Sequence, residues 1–412
     1  MNVNQNEDFI LPKLREDIAF ELINQKEEQQ IILYDPHNYA RQAIQIPLSI
    51  VPLLQMLDGT FRKSDIEHVL KDTNSEDLAE IIEPIFNLIY YLDHLGFLET
   101  ENFYNLKREL DDYFKSPIRK PVCSGSTYSD NAEHLQSQIK AILNSRKYDD
   151  IQPNADSIIV PHIDFRVGLG AIKTYAAAYH SIKDKNPELV VIFGTSHYAS
   201  SDYFMFTEKD FETPFGLVKT DKDIINYLKA ISNGNIRFDD LAHKNEHSIE
   251  LQLVFLQYLF GDKFKILPIL VGSFHNFVQT DTLPKDDEHF QELIGKIKEV
   301  VTVSGKKTIY IASVDFAHIG RKFGDDFDAS LELDILREED KILINHIVNF
   351  NADEFFKTVS KNNDRRKICG LSPIYSIMQM NKFRKSQFLE YNQWDETETK
   401  SAVSFASIAF YE

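Results

Sequence analysis

Cysteine is scarce in this sequence, with only Cys123 and Cys369 among 412 residues. One disulfide between them is formally possible, but two reduced thiols are the usual condition in a cytosolic protein. Residues 1–8 are polar, and the apolar segment of a secretory signal peptide does not follow them. These absences argue against a disulfide-stabilised secreted domain, and we expect a cytoplasmic protein.

Long apolar runs and an excess of basic residues are also missing. The longest apolar runs, such as residues 189–193 and 266–271, are far shorter than the roughly 20 residues that a membrane helix needs. Lys and Arg total 45 against 64 Asp and Glu, which gives a formal net charge of −19. Such a surface repels phosphate backbones and anionic lipids, so we expect neither nucleic-acid nor membrane binding.

A glycine-rich phosphate loop is missing as well. Gly168-Leu169-Gly170 is too short to match a Walker or dinucleotide motif, so the sequence gives no reason to expect a bound nucleotide. Apolar residues make up 43% of the chain, which is enough to fill large cores.

The first hundred residues predict a small α+β domain separate from the rest. Their order of short strands, three helices and a wing strand is typical of a winged helix. We expect strands at residues 20–23, 30–34 and 43–46, helices at 50–57, from 64 onward and at 76–95, and the wing at 97–98.

This order also resembles the PqqD-like domains that recognise peptides. The segments that carry the resemblance are Pro12-Lys13-Leu14-Arg15, the strand pair, Leu57-Asp58-Gly59 and Leu95-Gly96-Phe97-Leu98. Residues 1–110 hold 9 Lys or Arg and 20 Asp or Glu, a net charge of −11, which argues against a DNA-reading domain. We expect a peptide or protein partner here; the alternative is a domain that only packs on the second one.

The boundaries that we predict are a winged-helix-like domain at residues 1–105, a charged linker at 106–120 and a second domain at 121–412. From about residue 156, short apolar strands alternate with helical stretches. This alternation predicts an α/β fold with a mixed central sheet flanked by helices.

Three predicted strands of the second domain are followed by a histidine, namely His162, His197 and His318. Open α/β sheets bind ligands at the carboxyl ends of their strands, so these side chains are candidates to converge on one crevice. A single such histidine is more often a structural residue. Neutral imidazoles are common ligands of zinc, copper and iron, and a converging pair would supply half of a coordination shell.

Cys369 is the candidate for a third ligand, because it precedes a predicted helix whose N-terminus would lower the pKa of the thiol. The alternative is a small buried apolar residue. His243 and His247 are four residues apart, around Glu246. That spacing fits either a metal pair or hydrogen-bonding partners of the ligands, and we favour the second role for all three residues.

Residues 119 to the end resemble the Memo family, known in prokaryotes as AmmeMemoRadiSam system protein B. The matching segments occur in the family's order over nearly 300 residues. They are Pro161-His162, Gly194-Thr195-Ser196-His197, Thr213-Pro214-Phe215-Gly216, Ala242-His243, Glu246-His247-Ser248, Pro268-Ile269, Val271-Gly272, Ser313 with Asp315-Phe316 and His318, Cys369-Gly370, Pro373-Ile374 and Ser404-Phe405-Ala406-Ser407.

The resemblance implies a fold similar to that of class III extradiol dioxygenases. It places the metal ligands on His162, His197 and Cys369, and an acid/base pair on His318 and Asp315. A thiolate is softer than the carboxylate of the dioxygenases, so catechol cleavage does not carry over, and we expect one iron or copper ion, with zinc as an alternative. Residues 163–166 and Ser372 also depart from the family pattern, which leaves the substrate open.

Three functions are compatible with these residues. The first is a metal-dependent redox enzyme of the dioxygenase-like class, working with the radical-SAM and AMMECR-domain proteins that the family name implies. The second is a non-catalytic accessory or peptide-binding protein with a vestigial metal site. The third is a metal-free cysteine hydrolase with Cys369 as nucleophile.

Overall fold

A computed structural model describes residues 8–25, 28–71, 78–145, 147–199, 202–380 and 383–412. The chain forms two compact units that divide between Ser116 and Pro117. The division falls inside the predicted linker at residues 106–120, of which the first part is helical. None of the helices in the described residues is long and apolar enough to cross a membrane.

The N-terminal unit contains a three-stranded antiparallel sheet in the order β1-β2-β3, together with four helices in its described part. Alternate residues of β2 and β3, such as Ile31 and Ile44, are buried against the helices, as the period of two in a half-buried strand requires. The elements are β1 (Ala19–Gln25), β2 (Glu28–Tyr34), β3 (Ile44–Pro47), α1 (Val51–Met56), α2 (Lys63–Lys71), α3 (Leu78–Leu95) and α4 (Glu101–Lys115).

The predicted wing strand at residues 97–98 is wrong. Gly96 ends α3 with a φ of +89°, α4 begins at Glu101, and residues 97–100 between them form no strand. Leu98 forms a single bridge with Leu14 instead. The PqqD-like resemblance of this unit therefore stays a prediction.

The second unit is a mixed α/β structure built on a 12-stranded sheet, counted over the described residues. This confirms the predicted fold class. Its strands are β4 (Ile118–Arg119), β5 (Ser157–Val160), β6 (Leu189–Thr195), β7 (Phe204–Phe206), β8 (Asp210–Thr213), β9 (Gly216–Thr220), β10 (Arg237–Phe238), β11 (Lys265–Val271), β12 (Thr308–Ser313), β13 (His318–Gly320), β14 (Lys385–Glu396) and β15 (Ser401–Tyr411). The main path runs β13-β15-β5-β12-β6-β11-β9-β8-β4.

Ten helices of the described residues cover this sheet. They are α5 (Ala132–Leu143), α6 (Leu169–Ile182), α7 (Lys222–Ser232), α8 (Asp240–Lys244), α9 (Glu250–Phe260), α10 (His275–Thr280), α11 (Glu288–Ser304), α12 (Leu333–Val348), α13 (Ala352–Ser360) and α14 (Leu371–Met380).

The central strands are buried on both faces, which explains why they read as continuous apolar runs. In β6, Val190 and Ile192 join one buried cluster, whereas Val191 and Phe193 join the other. Each such side chain contributes about 1.5–3 kcal/mol when it is fully buried. The fold is therefore held by two apolar layers, one on each face of the sheet.

The register of the parallel strands β5, β12 and β6 brings their carboxyl ends to one edge. Ser313 at the end of β12 lies opposite Val160 of β5 and Gly194 of β6. The segments that leave these three strands therefore start side by side, which is the position where open α/β sheets place ligands.

Candidate metal centre

His162, His197 and Cys369 lie together at this edge of the sheet. One potential ligand atom from each lies within 4.8 Å of the others. The Cys369 Sγ is 3.5 Å from His162 Nε2, and the centroids of the two imidazole rings are 4.9 Å apart. The structure thus brings together the three residues that the sequence proposed as ligands.

His162 is buried and has a fixed orientation. Its Nδ1 lies 3.0 Å from the carbonyl oxygen of Ser313. A carbonyl can only accept, so Nδ1 carries the hydrogen and Nε2 presents its lone pair toward Cys369. Burial, and then the nearby His197, lower the pKa of His162 well below its ordinary value. The ring is therefore held in the neutral form that binds metals.

His197 is oriented by a carboxylate instead. Its Nδ1 lies 3.0 Å from Glu246 Oε1, and its backbone N–H donates to Glu246 Oε2 over 2.8 Å. Burial lowers the pKa of His197, but the hydrogen bond and charge of Glu246 outweigh it, so the pKa is raised overall. A carboxylate behind an imidazole fixes the ring and strengthens it as a ligand.

Glu246 also belongs to a second close group, with His197 and His247. Its oxygens, however, accept from the backbone N–H groups of His197, His247 and Ser248. Burial raises the pKa of Glu246, but His197 outweighs it and holds the pKa below its ordinary range. The geometry therefore makes Glu246 a hydrogen-bond partner of a ligand rather than a ligand.

Cys369 reaches the site because the next residue is a glycine. A Cβ on Gly370 would lie 2.6 Å from the carbonyl oxygen of Asp315, so a larger residue would push the loop away. The carbonyl of Cys369 accepts from Thr195 Oγ1 over 3.2 Å. Burial, followed by the Asp315 carboxylate, raises the pKa of the thiol well above its ordinary value. These two effects outweigh the lowering of the thiol pKa that the sequence predicted from the helix N-terminus.

Asp315 lies on the far side of the group. Its Oδ1 accepts from the backbone N–H groups of His162 and Ile163, and its Oδ2 is 3.7 Å from His162 Nε2. Burial raises the pKa of Asp315 to about 7. Among the described residues no hydrogen bond joins it to His318; its carboxylate contacts the His162 segment, and its backbone carbonyl accepts from Cys369 Sγ over 3.5 Å.

His318 does not close a strand as the sequence suggested. β12 ends at Ser313, and His318 begins the separate strand β13, which pairs with β15. The His318 Nδ1 lies 3.2 Å from the carbonyl oxygens of Phe316 and Lys367, which leaves Nε2 as an acceptor. Burial, and then His197, lower the pKa of His318 to about 4, so the ring is neutral.

His247 and His243 have different surroundings. The His247 ring is stacked on His197 with centroids 4.9 Å apart, and it meets the His162 ring edge at 5.2 Å. His243 Nε2 is 3.0 Å from the carbonyl oxygen of Met205, in β7. Only His247 therefore faces the ligand group, and the two histidines do not form a metal pair.

Arg119, which the sequence did not single out, supports the segment that carries Glu246. Its side chain is fully buried and paired with Glu250, and it donates to the carbonyl oxygens of His243 and Glu246. No local pattern signals this role, because its partners follow it by more than a hundred residues.

Ser248 and Gln252, also not predicted, bind the strand ends. Ser248 Oγ donates to the carbonyl of Thr195 over 2.8 Å, and Gln252 Nε2 donates to that of Pro161 over 2.9 Å. Gln252 lies in α9, whereas Ser248 precedes that helix, and the sequence signal for Ser248 was its place in the family segment Glu246-His247-Ser248.

A cleft of about 300 Å³ opens beside Cys369 and His197. Two imidazoles and one thiolate suit a first-row transition metal, and three protein ligands beside a cleft leave positions for a substrate. Both imidazoles hold Nδ1 in a hydrogen bond and so present Nε2, and Cys369 would lose its proton on binding, so the donor set fits such an ion. The fold and this group define a mixed α/β protein with a candidate three-ligand metal site.

Comparison with known proteins identifies the family. The model of the Memo-like protein family matches residues 119–409, so the chain belongs to that family. A MEMO1 family protein of Aquifex aeolicus (strain VF5) is 31% identical over 391 residues, covering 93% of this chain and 96% of the relative. A MEMO1 family protein of Nitrosopumilus maritimus (strain SCM1) is 29% identical over 305 residues, covering 71% and 99%.

These two relatives differ in how much of the chain they match. The Aquifex alignment leaves out only 7% of this chain, so it includes most of the N-terminal unit. The Nitrosopumilus relative is matched almost end to end by 71% of the chain. The Memo-like unit therefore also occurs in a protein that is shorter than this chain.

Proposed function

We propose that this Memo-like protein binds one transition-metal ion through His162, His197 and Cys369 and is a redox enzyme of the dioxygenase-like class. The observation that carries the proposal is the convergence of three ligand atoms from residues up to 207 positions apart, beside a cleft. A soft thiolate next to two imidazoles favours iron or copper, with zinc as the alternative.

The chemistry that the metal would supply is Lewis acidity and electron transfer. The protein's own groups would handle protons. His318 keeps Nε2 free to accept a proton, because Nδ1–H donates to carbonyls. Asp315 has a pKa of about 7, so it can gain or lose a proton near neutral pH. Perturbed groups of this kind cluster at functional sites.

The first test is elemental analysis of protein purified without an affinity metal. We expect near-stoichiometric iron or copper in the wild type and its loss in Cys369→Ala. The matched control is Cys123→Ala, which removes the other free thiol and should leave the metal content unchanged. Equal metal in both variants would exclude Cys369 as a ligand. An absence of metal in the wild type, even after anaerobic reconstitution, would refute the metalloenzyme and favour the accessory function.

The hydrolase alternative rests on the 3.5 Å distance between Cys369 Sγ and His162 Nε2. A nucleophilic pair needs a thiolate and an imidazolium. Burial raises the pKa of Cys369 and lowers that of His162, which opposes that charge separation. The metal site is therefore the better-supported function.

A protein or peptide partner of the N-terminal unit is a second proposal. Strand β1 is an edge strand that pairs only with β2 among the described residues, and its Phe20 and Leu22 are 75% and 55% exposed. Such an edge can accept an added strand.

We propose that radical-SAM and AMMECR-domain proteins are the partners. We also propose that the protein is cytoplasmic, consistent with its two free thiols. Co-purification with those proteins should be lost in a Phe20→Ser, Leu22→Ser variant.

A further inference from the structure

We propose that Arg366 is a positioning residue that holds two groups of the site in place at once, the Cys369 thiol and the His318 ring. It does so through the 364–369 segment, which carries Cys369 and whose backbone carbonyls hold His318. The inference rests on the proposed function only in the roles given to Cys369 and His318. Arg366 does not line the cleft, so its effect on the site passes through this segment.

The backbone of the 364–369 segment holds His318 at two points. The His318 backbone N–H donates to the carbonyl of Arg366 over 2.7 Å, and the His318 Nδ1 lies 3.2 Å from the carbonyl oxygen of Lys367. Lys367 has a φ of +52°, which is uncommon for a residue with a long side chain and persists only when surrounding contacts maintain it. Together with the Phe316 carbonyl, these contacts keep the hydrogen on Nδ1 and leave the lone pair on Nε2.

Cys369 lies at the end of the same segment. A hydrogen bond closes the turn before it, because Asp364 Oδ1 accepts from the backbone N–H of Ile368 over 3.0 Å. The Cys369 Sγ donates to the backbone carbonyl of Asp315 over 3.5 Å. Only one residue separates the thiol from the carbonyl that accepts the imidazole hydrogen, so a shift of the segment would move both groups of the site together.

The side chain of Arg366 ties this segment to helix α12. Its guanidinium lies 3.0 Å from Asp340 Oδ1 and 3.3 Å from Glu339 Oε2. Asp340 is fully buried, and its other oxygen accepts from the Tyr391 hydroxyl over 2.9 Å. A planar guanidinium that pairs with a buried carboxylate is held in one orientation, because leaving that charge unpaired would be costly. The segment is therefore attached to a fixed point of the fold outside the site.

The neighbouring arginine provides a contrast. Arg365 also pairs with an acid of α12, since it lies 2.7 Å from Glu339 Oε1. Its side chain is 60% exposed, however, whereas that of Arg366 is 12% exposed. Exposed ion pairs contribute little, because water screens the charges and the long side chains lose entropy when they are held. Of these two consecutive arginines, we therefore expect Arg366 to hold the segment and Arg365 to be dispensable.

The test measures both groups in the full chain without metal. Nitrogen-15 labelling of histidine, with His318→Gln to identify the resonance, shows which ring nitrogen of His318 carries the hydrogen near neutral pH. Alkylation by iodoacetamide followed by mass spectrometry gives the reaction rate of Cys369, with Cys123 in the same molecule as the reference. In Arg366→Met we expect a mixture of the two His318 tautomers, because the carbonyl acceptors are displaced. We also expect about tenfold faster alkylation of Cys369, because the segment opens more often.

Three further variants sharpen the test. Arg365→Met is the matched control and should leave both readouts as in the wild type. Arg366→Lys keeps the positive charge and should restore most of both. Asp340→Asn removes the charge of the buried partner but keeps an oxygen for Tyr391, so it should reproduce the effect of Arg366→Met. Circular dichroism checks that each variant is folded, and Asp340→Asn decides the matter if Arg366→Met is not.

Three results would overturn the inference: no change at either group when the Arg366–Asp340 pair is broken, a change at one group without the other, or equal changes in Arg365→Met. Cobalt titration of the same samples tests the proposed function separately. A wild type that binds no cobalt, with both metal-free readouts changed in Arg366→Met, would refute the metal site and leave the positioning role intact. Where the wild type binds cobalt, Arg366→Met should bind it about tenfold more weakly, and an unchanged affinity would likewise overturn the inference.

Discussion

The two histidines of the candidate metal site are supported in different ways. We call His162, together with the Ser313 carbonyl and Asp315, the buried half of the site. The acidic half consists of His197 and Glu246. His162 is 2% exposed, whereas the His197 side chain is 29% exposed. One ring is fixed by a neutral backbone group and the other by a charged side chain.

This difference shows how one fold makes two unequal ligands from the same residue type. In the buried half, burial and His197 lower the pKa of His162, and a carbonyl partner adds no full charge. In the acidic half, the Glu246 carboxylate overcomes burial and raises the pKa of His197. The buried half therefore fixes the geometry, and the acidic half would adjust the charge at a bound metal.

The largest expected effect comes from removing the support of the acidic half. Arg119→Met would leave Glu250 buried without its partner, and breaking a buried ion pair costs about 3–5 kcal/mol. Urea denaturation should therefore show a loss of that size in the free energy of unfolding. Lys120→Met is the matched control, because that side chain is 72% exposed and should contribute less than about 1 kcal/mol. Similar losses in both variants would contradict the role of Arg119.

The next effect concerns pH. Burial lowers the pKa of His243 from 6.5 to about 4, so between these values the unfolded chain binds a proton that the folded chain does not. This contribution to stability is complete above pH 6.5 and is lost as the pH falls toward 4, by about 3 kcal/mol in total. Denaturation of wild type and His243→Gln across this range should give a steeper pH dependence in the wild type. Parallel curves would show that His243 is not the titrating group.

The smallest effect distinguishes the two halves directly. Glu246→Gln keeps the shape of the side chain but removes its charge, and loss of such a partner lowers metal affinity about 10–100-fold. Competition with a chromophoric chelator measures this change. Glu208→Gln is the matched control, since it makes the same change in a carboxylate that is 47% exposed and pairs with Lys229. Its affinity should stay within about twofold of the wild type; an equal loss in both variants would mean that the loss does not come from the partner of His197.

Local patterns in the sequence were sufficient to single out His162 and His197 as candidate ligands. His162 and His197 follow buried apolar runs almost directly, so the parallel register of β5 and β6 on either side of β12 brings them to one edge. Cys369 was a candidate only because it precedes a predicted helix, and its actual place depends on the close approach of Gly370 to Asp315. That contact joins segments far apart in the chain and leaves no local periodicity.

The prediction that one continuous strand leads to His318 was wrong. The backbone N–H of Val314 bonds to Val160, whereas that of Phe316 bonds to Ser404 of β15. The segment therefore crosses from one neighbouring strand to another, and His318 starts a new strand instead of ending β12. Such a crossing depends on hydrogen-bond partners more than eighty residues away, which alternation of apolar residues does not encode.

The position of Cys369 in the chain has a consequence for how the site forms during synthesis. It follows His162 by 207 residues, and the strand that carries His162 is flanked on one side by β15, at residues 401–411. A ribosome makes the two histidines long before the thiol and the last strand emerge. Because domains fold as units during synthesis, the site gains its third donor only when synthesis is nearly finished. Under the proposed function, metal uptake would therefore be a late step in maturation and not a nucleus around which the chain assembles.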